Sequence, residues 1–123
     1  MKDFTRFRGG RGVRRVKGEM NSLERAYSVE LDARKAAGEI AEWYFDSVTL
    51  TIANPPNAKV ARLTPDFAVY LHDYTMEFHE CKGFMEGDAL IKLKAAASQY
   101  PHKFLLITKL AKKNGGGFAV TEF

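Results

Sequence analysis

The chain has 123 residues with 46% hydrophobic side chains, among them nine Phe, five Tyr and one Trp, and a net charge of +4. That is enough for one packed domain and too little for two. No apolar run approaches the ~18 residues of a membrane helix, and the lone Cys81 excludes an intrachain disulfide, so the chain reads as a protein of a reducing, cytoplasmic setting with no membrane partner.

Residues 1–18 read as a separate arm. They hold Lys2, Arg6, Arg8, Arg11, Arg14, Arg15 and Lys17 against the single acid Asp3, a net +6. The other 105 residues then carry 12 basic and 14 acidic side chains. A basic arm on a near-neutral body is the electrostatic footprint of a nucleic-acid binder, although a solvated, solubilising tail has the same composition. Four glycines leave the arm too little apolar surface to fold alone, so residues 19–123 are expected to form one domain. The N-terminus has no apolar stretch of the kind a secretory signal carries.

From Asn21 to Ala37 the apolar positions recur near a 3.6 period and Gly38 follows as a stop, which predicts a helix. Ser47–Ala53 is rich in β-branched residues and ends at the breaker Asn54-Pro55-Pro56-Asn57, which predicts a strand. Asp66–Leu71 and Met76–Lys82 predict a second and third strand joined as a hairpin through His72–Thr75. Gly87-Asp88 suits an N-cap for a helix from Ala89 to about Gln99, ended by Pro101. Lys103–Thr108 reads as a buried strand and Phe118–Glu122 as an edge strand after Gly115-Gly116-Gly117. The order is α-β-β-β-α-β, an α/β fold. A helical crossover between the third strand and the strand at Phe104 makes that pair parallel, giving a mixed central sheet flanked by helices. Trp43, Tyr44 and Phe45 are expected to pack at the exit of the first helix.

The chemistry-bearing residues fall at one end of the hairpin. Side chains two apart in a strand share a face, so Glu80 and Lys82 project together and Cys81 points into the opposite layer. The hairpin returns the third strand beside the second, which brings Asp66 close to both. Asp66 meets Glu80 on one face only if the loop has an odd length or a bulge re-aims its carboxylate. Two hard carboxylates suit Mg²⁺, and a neighbouring amine suits the handling of a water in phosphodiester cleavage. The plain alternative is a solvated salt-bridge cluster. His72, His79, Cys81 and His102 lack zinc-ligand spacing, and Cys81 in a packed layer is a poor nucleophile.

Pro65-Asp66, thirteen intervening residues and then Glu80-Cys81-Lys82 resembles the PD-(D/E)xK signature of a nuclease superfamily. The stretch from Leu63 to Ile107 is similar to small endonuclease-like proteins of phages and prophages. The resemblance implies a restriction-endonuclease-like core and a metal-dependent DNA endonuclease, with RNA still open and branched DNA a candidate substrate by analogy. It implies Mg²⁺ or Mn²⁺ held by Asp66, Glu80 and the Cys81 backbone carbonyl, with Lys82 on the attacking water. It also implies an acid on the first helix, carried onto Glu24 with Glu30 second. Asn21 and Glu24 equally have the spacing of a capping box, in which Glu24 would serve only the helix end. Arg6, Arg8, Arg11, Arg14, Arg15, Lys17, Lys92 and Lys94 are the expected nucleic-acid contacts. A homodimer would suit paired cuts by so small a domain, and a catalytically idle binding module of the same fold is the rival reading.

Overall fold

The computed structural model describes residues 18–52, 61–83 and 87–123. The arm residues Arg6, Arg8, Arg11, Arg14, Arg15 and Lys17, and the breaker at Asn54–Asn57, lie outside the described residues.

In chain order the elements are α1 (Ser22–Ala36), β1 (Glu42–Phe45), β2 (Leu50–Ile52), β3 (Ala61–Leu63), β4 (Phe67–Tyr70), β5 (Met76–Cys81), α2 (Gly87–Gln99), β6 (Lys103–Lys109) and β7 (Phe118–Glu122). Five strands form one mixed sheet in the order β1-β4-β5-β6-β7, and β2 with β3 forms a separate two-stranded ribbon. The β5–β6 pair, bridged by α2, is parallel as expected, and the other pairs are antiparallel. Among the described residues no helix is long and apolar enough to cross a membrane.

Both ends of α1 are written in its sequence. The Asn21 side chain accepts from the Glu24 N–H at 2.8 Å, and the Glu24 carboxylate accepts from the Asn21 N–H at 2.9 Å, a reciprocal capping box. After the C-cap Ala37 the chain turns at Gly38 with φ +80°, a conformation that favours glycine. Between these ends Glu24, Tyr27, Ser28 and Leu31 lie on the buried side, three or four residues apart.

Strict alternation along the sheet separates two cores. Phe67, Val69, Cys81 and Ile107 face α1 and meet Tyr27, Leu31 and Ile40. Ala68, Phe78, Phe104 and Leu106 face α2 and meet Leu93 and Ala96, with Leu50, Ile52 and Leu63 of the ribbon closing that core.

Two expectations are corrected. Ser47–Ala53 does not supply the first strand of the main sheet. Among the described residues of that span Leu50–Ile52 forms the strand, and it pairs with β3 because Leu50, Ile52 and Leu63 find their apolar partners on α2. The sheet position goes to β1, whose Trp43 and Phe45 rings sit 5.5 and 5.3 Å from the Phe67 ring. Helix α2 starts at Gly87 and not at Ala89, so Asp88 lies inside its first turn.

The β4–β5 hairpin decides where Asp66 lies. Leu71 donates its N–H to the Thr75 carbonyl at 2.9 Å, which leaves His72, Asp73 and Tyr74 as the turn. Asp73 accepts from the Thr75 N–H and hydroxyl at 3.0 and 2.6 Å, and Tyr74 takes the left-handed φ of +69°. The odd loop gives the register Phe67↔His79, which continues to Asp66 opposite Glu80. No bulge is needed.

Candidate active site

Asp66 and Glu80 hold each other across the hairpin. The Asp66 N–H donates to Glu80 Oε1 at 3.0 Å, and the Cys81 N–H donates to Asp66 Oδ2 at 2.9 Å. Asp66 is only 3% exposed. Glu24, 1% exposed, reaches in from α1 and hydrogen-bonds Asp66. The Glu24 carboxylate therefore both caps α1 and touches Asp66. Lys82 Nζ stands 3.7 Å from Glu80 Oε2, with its side chain 36% exposed against 12% for Glu80. The sequence-derived set of Asp66, Glu80, Lys82 and Glu24 converges.

A buried chain of hydrogen bonds joins α1 to β5. Tyr27, one turn along α1, bonds His79 Nδ1 at 2.7 Å, and His79 Nε2 bonds Glu77 Oε1 at 3.0 Å. His79 holds the Glu77 carboxyl below its ordinary range, and burial pushes the Tyr27 phenol well above its own. Nε2–H of His79 donates to the ionised Glu77 carboxylate, and Nδ1 shares the second hydrogen bond with the Tyr27 hydroxyl. This ties α1 to β5 directly behind the carboxylates. It also removes His79 as a zinc ligand, because both ring nitrogens are engaged.

Burial, then the Glu80 charge, and more weakly Glu24, raise the Asp66 carboxyl to about 8, against the opposing pull of the Cys81 N–H. Asp66 is therefore largely protonated at neutral pH. A divalent cation held by Asp66 would compete with that proton. Among the described residues no three His, Cys, Asp or Glu side chains already surround one point as a metal cage. Mg²⁺ does not require one, since it commonly takes one or two carboxylates and fills the rest of its octahedron with water and phosphate oxygen. The donor set fits such an ion.

Cys81 faces the α1 core, where burial and the neighbouring carboxylates push its thiol far above the usual range. It is no nucleophile there. Its backbone remains next to the site through the bond to Asp66. Glu30, the second choice for the helix acid, is exposed and lines a different cavity with Arg34 and Glu77.

A cavity of about 350 Å³ opens beside the acids, lined by Arg62, Leu63, Thr64, Glu80, Lys82, Ala89 and Lys92. Lys92 is therefore placed at the site. Lys94 is exposed and does not line this cavity. Arg62 was not singled out by sequence. Its only local signal is the alternation Ala61-Arg62-Leu63, which aims it away from the core.

No known protein family, characterised protein or solved structure matches the chain.

Proposed function

We propose that the chain is a metal-dependent DNA endonuclease built on a restriction-endonuclease-like core. The observation that carries this reading is the meeting of Asp66, Glu80, Glu24 and Lys82 at one end of the β4–β5 hairpin. The sheet-forming elements and their helices, α1-β1-β4-β5-α2-β6, follow the α-β-β-β-α-β order, with the ribbon inserted and β7 added.

Asp66 and Glu80 would hold Mg²⁺ or Mn²⁺, with the Cys81 carbonyl and Glu24 in support. When bound, the ion supplies positive charge to the phosphoryl oxygens and makes water a better nucleophile at neutral pH. The chain's own residues do the rest. Glu80 keeps the Lys82 ammonium close to the acids, and its exposure lets it meet a water at the mouth of the site. There it orients the water in line with the ester bond. The water oxygen joins phosphorus, one P–O ester bond breaks, and the proton passes to the departing alkoxide. The buried Cys81 N–H and Asp66 N–H fix the carboxylates so that little reorganisation is needed.

Supercoiled plasmid tests this reading. With Mg²⁺ or Mn²⁺ the protein should nick it, and EDTA should stop the reaction. Ca²⁺, larger and less able to activate water, should bind without supporting turnover. Undiminished nicking in EDTA would rule the reading out.

A further inference from the structure

The ribbon β2–β3 stands outside the main sheet, and its two faces differ in chemistry. Leu50, Ile52 and Leu63 are buried in the core against α2. On the other face Thr51 lies across from Arg62, both exposed, and one step further the Thr49 and Thr64 hydroxyls sit 2.8 Å apart. Residues 47–52 and 61–64 include no acid. This face leads through Thr64 and Pro65 directly to Asp66. Arg62 and Thr64 also line the cavity that holds Glu80, Lys82 and Lys92, so three cations face one carboxylate there. Among the described residues no carboxylate forms an ion pair with Arg62 or Lys92.

A guanidinium, hydroxyls and lysines that outnumber the acid among them are the groups that contact a phosphate backbone. We propose that the Arg62–Lys92 cavity seats a phosphate adjacent to the one being cut, and that the outer face of the ribbon guides the strand to it. The substrate is then a continuous nucleic-acid strand and not a free nucleotide. Arg62 is a positioning residue. The proposal rests on the phosphodiester-cleaving reading for the identity of the anion, but its test reads binding.

The test is a salt titration of binding to fluorescein-labelled duplex DNA, followed by anisotropy in Ca²⁺. It uses the full chain, Arg62→Ala, Arg62→Ala with Lys92→Ala, and Lys103→Ala. Lys103 pairs with Glu77 at the far end of β5 and β6 and serves as the charge control. Arg62→Ala should weaken binding about tenfold and shallow the log–log salt slope by about 1, and the double variant by about 2. Lys103→Ala should leave the slope unchanged. In Mg²⁺ the loss should appear in KM rather than kcat, and millimolar inorganic phosphate should not displace the DNA. A slope unchanged by Arg62→Ala overturns the inference even if the protein cuts DNA. An Arg62-dependent slope in a protein that never cuts upholds the strand seat and overturns the endonuclease reading. No DNA binding by the unaltered chain overturns both.

Discussion

Asp66→Asn should make the protein more stable at pH 8 and inactive at every pH. The Asp66 carboxyl titrates near 8 in the folded chain against an ordinary 3.8, chiefly because of burial and then the Glu80 charge. Between those two values the folded state holds a proton that the unfolded chain has released. The stabilisation from that proton is complete below about pH 4, and it is lost progressively as pH rises through 8. At pH 8 the unaltered protein therefore tolerates a crowded carboxylate at a cost on the order of a few kcal/mol. Asparagine keeps an oxygen for the Cys81 N–H and removes the charge. In EDTA its melting temperature should exceed that of the unaltered chain by roughly 10 °C at pH 8, with the gap closing toward pH 4. On the proposed reading, cleavage should vanish with the loss of a metal-holding carboxylate. A variant less stable at pH 8 than at pH 5, relative to the unaltered chain, would refute the charge-crowded site.

Lys82→Ala should separate chemistry from binding. The lysine stem is part-exposed and its ammonium sits 3.7 Å from Glu80, so its removal leaves both cores intact. A residue that orients or deprotonates the attacking water contributes about 10² to 10⁴ in rate. Single-turnover cleavage in Mn²⁺ should fall by that factor, while DNA affinity in Ca²⁺ stays within several-fold. Equal losses in affinity and rate would make Lys82 a phosphate contact like Arg62, with no part in the chemical step.

The legible parts of this molecule were those carried by local periodicity. The alternation in β5 placed Glu80 and Lys82 together and Cys81 opposite, and the structure keeps that division between the cavity and the α1 core. Asp66 was conditional on loop parity, and the three-residue turn at His72–Tyr74 settled it. The spacing of Glu24 fits a cap or a site acid, and in the structure it caps α1 and also bonds Asp66.

What escaped reading depends on distant partners. Val48–Ile52 has a stronger strand signature than Glu42–Phe45, yet the position in the main sheet belongs to the latter. The aromatic rings of β1 match Phe67, whereas Leu50 and Ile52 match α2. Tertiary packing overrode β propensity there. The Tyr27–His79 bond spans 52 residues and leaves no trace in either segment. Arg62 became visible only when the ribbon folded its apolar face away and α2 brought Lys92 to the same cavity.

On the proposed reading a divalent ion displaces the proton that Asp66 holds at neutral pH. Calorimetric titration of Mn²⁺ into the full chain at pH 7, repeated in two buffers of different ionisation enthalpy, tests it most directly. The predicted result is saturable binding with release of close to one proton per ion, since Asp66 near 8 is largely protonated at that pH. Asp66→Asn should abolish both the binding and the proton release. Mn²⁺ binding that is unchanged in Asp66→Asn, or no binding by the unaltered chain, would contradict the account.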